Sequence, residues 1–120
     1  MKKIELFERA IEEKAASLAD YGINPTLFWA YRNSILAGNE QIDFDEVIWE
    51  KDIEEIAKAL KENSIAEFTI SSTFSGLIST LATFEKYGFK MAGLTEVKAK
   101  YTEWGSDKHP VIPAIRMQSL

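Results

Sequence analysis

Apolar residues at Ile4, Phe7, Ile11, Ala15 and Leu18 recur every three or four positions, which predicts an amphipathic helix over Ile4 to Ala19. Gly22 stands where a left-handed cap would stop it. Asn24-Pro25 reads as the N-cap and first residue of a second helix that ends at Gly38. That helix carries Leu27, Phe28, Trp29, Tyr31, Ile35 and Leu36, with only Arg32, Asn33 and Ser34 to make a polar side. A helix apolar nearly all round is buried on several sides or faces another chain, so the stretch Leu27 to Leu36 is also a candidate homodimer face. Glu40 to Trp49 breaks the periodicity and reads as an irregular acidic link anchored by Ile42, Phe44, Val47, Ile48 and Trp49. A third helix then starts at Asp52, with Glu55 completing a capping box. Ile53, Ile56, Ala57 and Leu60 form its inner stripe, Glu54 and Lys58 an i,i+4 pair, and Asn63-Ser64 its end.

From Glu67 the pattern changes to strands. Glu67 to Ser72 is a strand with Phe68 and Ile70 on one face. Ser72-Thr73 opens a fourth helix with Phe74, Leu77, Ile78, Leu81 and Phe84 inward, stopped at Gly88. Phe89 to Glu103 alternates as one long strand, residues 105–108 turn, and Val111 to Met117 returns. Pro110 and Pro113 cannot donate ladder hydrogen bonds, which places this last strand at a sheet edge. The expectation is therefore an α+β fold, three N-terminal helices followed by a β-α-β-β unit with a sheet of about three strands. The strand–helix–strand part reads as a parallel crossover.

With 120 residues the chain fits one domain, 1–120, and is too short for two independent cores. It has no cysteine, which removes disulfides, thiol nucleophiles and cysteine zinc sites and suits a reducing cytoplasm. No run approaches the ~20 apolar residues of a membrane span, and the charged N-terminus is not a signal peptide. Charge is uneven. Residues 1–85 carry 8 basic and 16 acidic side chains, a net −8, whereas residues 86–120 carry 6 and 3, a net +3. The acidic part disfavours nucleic acid and would draw a basic protein surface.

Candidate chemistry is sparse, and no catalytic residue, metal site or cofactor is predicted. The lone His109 sits in a turn with nothing in the sequence to orient it. Glu96-Val97-Lys98 resembles the acid-x-lysine pattern of metal-dependent nucleases, but no aspartate-bearing strand precedes it, and alternating charge on the wet face of a sheet accounts for it. Asp43, Asp45, Glu46 and Glu50, continued by Glu54 and Glu55, lack the glycine and spacing of a calcium loop, and they read as an acidic surface for a protein partner. Ser71, Ser72, Thr73, Ser75 and Gly76 lie where a strand enters a helix. Ordinary capping is the favoured reading there, and a junction for a phosphate or peptide carboxylate is the alternative. Lys86, Lys90, Lys98, Lys100, Lys108 and Arg116, with Tyr101 and Trp104, make a weak case for single-stranded nucleic acid.

The run Ile53 to Gly76 (IEEIAKALKENSIAEFTISSTFSG), the segment Tyr87 to Val97 (YGFKMAGLTEV) and the closing Ile112 to Met117 (IPAIRM) resemble a family of small uncharacterised proteins of phages and conjugative elements of gut bacteria. The resemblance covers roughly the last two thirds of the chain and brings no catalytic residue with it. It implies a non-enzymatic inhibitor of host defence, of the kind that includes anti-CRISPR proteins blocking a type II effector nuclease. The partner would then be a Cas9-type nuclease or its guide complex. A small-ligand or peptide-binding accessory domain is the alternative.

Overall fold

The first helix is shorter than its apolar stripe, because Lys14 turns the chain into the left-handed region at φ 51°. The computed structural model describes residues 1–120. Helix α1 (Glu5–Glu12) ends as Lys14 N–H bonds the Ile11 carbonyl and Ala15 N–H that of Ala10, the paired bonds of a Schellman cap. A short 3-10 turn, Ala19–Tyr21, follows, and Gly22 is left-handed as expected. Helix α2 (Pro25–Ala37) starts where predicted, with Asn24 Oδ1 accepting from Leu27 N–H at 3.1 Å.

The link between α2 and the next helix is not wholly irregular. It contains strand β1 (Asp43–Phe44), which pairs in parallel with β2 (Glu67–Ile70). Helix α3 (Glu50–Glu62) lies between them as the crossover. It begins at Glu50, so Asp52 sits in its first turn rather than at its cap, and Trp49 takes the N-cap position without a side-chain bond. Its inner stripe Ile53, Ile56, Ala57 and Leu60 is buried as predicted. Lys58 pairs with Glu62 at 3.9 Å instead of with Glu54.

Helix α4 (Leu77–Lys86) begins five residues later than the hydroxyl cluster implied. Thr80 and Phe84 are its buried residues, while Ile78 is 82% exposed and lies outside the stripe assigned to it. Strand β3 (Phe89–Lys98) and strand β4 (Val111–Ser119) form a long hairpin. Ala92 and Gly93 together face Arg116, a bulge at which Gly93 takes φ 117°.

The sheet has four strands in the order β1-β2-β4-β3. β4 is therefore internal, paired antiparallel with both β2 and β3, and the proline argument for an edge fails for a geometric reason. Lys98 spends its backbone N–H and C=O on Asn39, so it and Glu96, two residues back, point away from β4. Pro113, opposite Glu96, points its missing donor away from β3, level with chain beyond the end of β2. No ladder bond is lost. β2 and β3 run parallel as the crossover required, with β4 between them.

One cluster of twenty buried residues joins these elements. Phe68 is its hub, in ring contact with Phe44, Phe84 and Phe89 at centroid distances of 5.4, 5.0 and 5.3 Å. Phe7 ties α1 to α2 through Phe28 and Tyr31. Burying such aromatic rings stabilises the fold by about 1.5–3 kcal/mol each.

Candidate functional site

The surface groove beside α2 follows from how the segment after β1 is pinned. Ser34 on α2 accepts a hydrogen bond from Asp43 N–H at 2.8 Å, which holds β1 against the helix. Phe44 and Ile48 go into the core, and the residues around Ile48, Val47 and Trp49, are turned outward. On α2, Phe28 and Ala30 are buried while Trp29 between them stays 50% exposed, its ring edge-on to Phe28 at 5.3 Å. Trp49 is 61% exposed. Between the two indoles lies a groove of about 170 Å³, with Asn33 and Thr26 on the α2 side and Asp45, Glu46 and Val47 on the other. Arg32 does not line it.

The two acids of the groove already hold a cation from the same chain, which does not itself line the groove. Lys100, beyond the end of β3, donates to Glu46 Oε1 at 2.7 Å and lies 3.4 Å from Asp45 Oδ2. The bond to Glu46, joined by the charge of Asp45, raises the Lys100 pKa against a smaller opposing effect of burial. Asp45 Oδ2 is enclosed, and Lys100 at 3.4 Å is the cation against it.

The six acidic residues singled out from sequence do not form one patch. Asp45 and Glu46 meet at the groove. Glu50 follows Trp49 on the first turn of α3, and Glu54 and Glu55 lie exposed one turn on, Glu54 accepting from the Tyr87 hydroxyl at 3.4 Å. Asp43 is not at the surface, being only 5% exposed. Its carboxylate accepts from Thr69 Oγ1 and Ser71 Oγ, each at 2.6 Å. Burial raises its pKa, and the two hydroxyl bonds only partly oppose that shift.

The hydroxyl-rich junction is committed in the same way. Ser71 N–H and Ser72 N–H both donate to the Phe44 carbonyl, at 3.0 and 3.2 Å, which leaves neither amide for an anion. Thr73, Ser75 and Gly76 precede α4 without any side-chain cap bond. Among the basic residues, Arg116 donates to the Ala92 carbonyl and Lys100 is held by Glu46 and Asp45, so they do not present a continuous cationic strip. His109 Nδ1 lies 2.7 Å from the Ala99 carbonyl and serves the hairpin. No group of three or more His, Asp or Glu side chains is arranged to hold a metal ion. No helix is long and apolar enough to cross a membrane.

Residues 26–119 match the family model described as Domain of unknown function (DUF7698). The chain belongs to that family. No curated protein matches it, and no solved structure does. Every groove residue but Pro25, together with Lys100, lies within the matched DUF7698 segment, whereas α1 precedes it. The sequence reading missed Trp29 as a groove residue of this DUF7698 domain and Lys100 as the partner of its acids, and took Val47 and Trp49 for anchors. The signal available was that the acidic link sets aromatic and aliphatic residues close beside its carboxylates.

Proposed function

We propose that this DUF7698 chain is a protein-binding module that engages a basic partner through the Trp29–Trp49 groove. One observation carries the reading: two half-exposed tryptophans stand on either side of a concavity that also holds Asp45 and Glu46. Exposed tryptophan is a large apolar area held in water, and such residues dominate binding energy where a partner desolvates them. The carboxylates beside them add steering for a cationic surface. Glu50, Glu54 and Glu55 extend that field along α3.

In its specific form the proposal is a non-enzymatic inhibitor carried by a mobile genetic element, with a type II CRISPR effector nuclease as the partner. The family resemblance described above and the net charge of −5 support this form. Such nucleases hold the guide–target duplex in a positively charged channel, which an acidic groove with apolar walls complements. The alternative, an accessory domain for a small anionic ligand at Ser71 to Gly76, has less to rest on, since the Ser71 and Ser72 amides are occupied and the Asp43 carboxylate stands beside them. A homodimer through α2 would have only Trp29 and Leu36 as large apolar contacts.

The test is titration of the purified protein into DNA-cleavage reactions of several type II CRISPR nucleases, before and after guide RNA is added. Inhibition near one-to-one, relieved by W29A/W49A and by reversing Asp45, Glu46 and Glu50, is the expected result. Cleavage unaffected throughout such a panel removes this class of partner.

A further inference from the structure

Resting on the binding reading above, we infer that the groove is a receptor for a single arginine side chain of the partner segment. The groove is an open concavity of about 170 Å³ whose lining carboxylates repel a nucleotide's phosphates and suit one cationic side chain. What it offers is a pair of indoles and a pair of carboxylates. Indole faces attract a cation through the ring quadrupole, and guanidinium, being planar and weakly hydrated, stacks on them better than ammonium.

Lys100 shows what the carboxylates accept. A primary ammonium of the chain's own hairpin sits on Glu46 at 2.7 Å and against Asp45 at 3.4 Å. It reaches each acid through one oxygen and leaves Glu46 Oε2, on a side chain 68% exposed, without a protein partner. A guanidinium has five N–H donors in a fixed fork, so it can bond that free Glu46 oxygen while its plane lies against an indole. Asn33 and Thr26 on the α2 wall supply further neutral acceptors. Lysine, with one compact donor group, duplicates what Lys100 already provides.

The experiment compares three blocked pentapeptides, Gly-Arg-Gly-Arg-Gly and its lysine and citrulline counterparts, by following the three indole N–H resonances of the labelled protein. Trp104, wholly exposed at the hairpin tip, is the internal control. The expected result is saturable movement of the Trp29 and Trp49 signals, with Trp104 still, by the arginine peptide. The lysine peptide should bind at least ten-fold more weakly and the citrulline peptide not detectably. Trp49→Ala, an exposed position that leaves the core intact, should weaken the arginine peptide ten-fold or more. Equal affinity for the arginine and lysine peptides, with no indole movement, overturns the arginine receptor and leaves the acidic binding surface standing. Binding of neither peptide overturns both.

Discussion

Replacing Asp43 with alanine strands two hydroxyl donors. Thr69 Oγ1 and Ser71 Oγ each lie 2.6 Å from a carboxylate oxygen, and hydrogen bonds to a charged acceptor contribute about 1.5–3 kcal/mol apiece. Thr69 is 2% exposed, so no water replaces its partner, whereas half-buried Ser71 recovers much of its loss from solvent. The release of a buried charge offsets part of the cost. Asp43→Ala is therefore expected to destabilise by about 2–4 kcal/mol, within the 5–15 kcal/mol typical of a domain. Asp43→Asn keeps one acceptor and can donate to the other hydroxyl, so it should cost about 1 kcal/mol or less. Urea unfolding followed by tryptophan fluorescence measures both, as shifts of midpoint at unchanged slope. The pH dependence supplies an independent check. Burial holds the Asp43 pKa above its ordinary 3.8, so the folded state binds the proton more tightly than the unfolded one. Wild type must then gain stability relative to Asp43→Asn as pH falls from above the raised value towards 3.8. Alanine within about 0.5 kcal/mol of wild type, asparagine as costly as alanine, or a pH-independent difference refutes the account.

Tyr31 is pushed up to about 12 by burial and by its hydrogen bond to Glu8, from an ordinary 10.0. Its contribution is complete below pH 10 and lost as pH rises towards about 12, by at most about 3 kcal/mol; denaturant midpoints at pH 9 and 11.5 should show the loss in wild type and not in Tyr31→Phe. Ser64, left-handed at φ 56° after α3, should be improved by Ser64→Gly by about 0.5–1 kcal/mol, and Gly88→Ala, at φ 94°, should cost about 1–2 kcal/mol, both read from the same unfolding curves. Lys100→Met frees largely exposed Glu46 at little cost but strips the enclosed Asp45 oxygen of its cation, so it should destabilise by about 1–3 kcal/mol. The same variant should bind the arginine peptide a few-fold more tightly, since the resident competitor is gone; weaker binding would mean that Lys100 belongs to the receptor.

The helices with strong local signals were legible in the sequence. Asn24-Pro25 starts α2 and the Ile53–Leu60 stripe is the buried face of α3, because capping and 3.6-residue periodicity act within a few residues. What was not legible depends on distant partners. β1 is two residues long and exists only through β2 and Ser34. Asp43 reads as a surface acid until Thr69 and Ser71, 26 and 28 residues on, are brought beside it. Pro113 reads as an edge marker until the short β2 is seen to end before reaching it. The candidate site was half legible. Asp45 and Glu46 were named for their charge, but Lys100 lies 54 residues from Glu46, and the outward turn of Trp49 is set by the burial of Ile48.

Asn39 has a bearing on self-association. β3 is ten residues long and forms one rim of the sheet, the sort of unpaired backbone on which identical chains stack into fibres. At one end of that rim the Asn39 side chain occupies both the N–H and the C=O of Lys98, as a neighbouring strand would. Midway, the Ala92–Gly93 bulge shifts the alternation of side chains, so a flat second strand cannot stay in register along the whole length. Lys90 and Lys98 add charge that repels a like copy. The longest strand of the molecule is thus kept from polymerising by one amide, one irregularity and two lysines, and mutation of Asn39 would be felt first as a loss of colloidal stability rather than of fold.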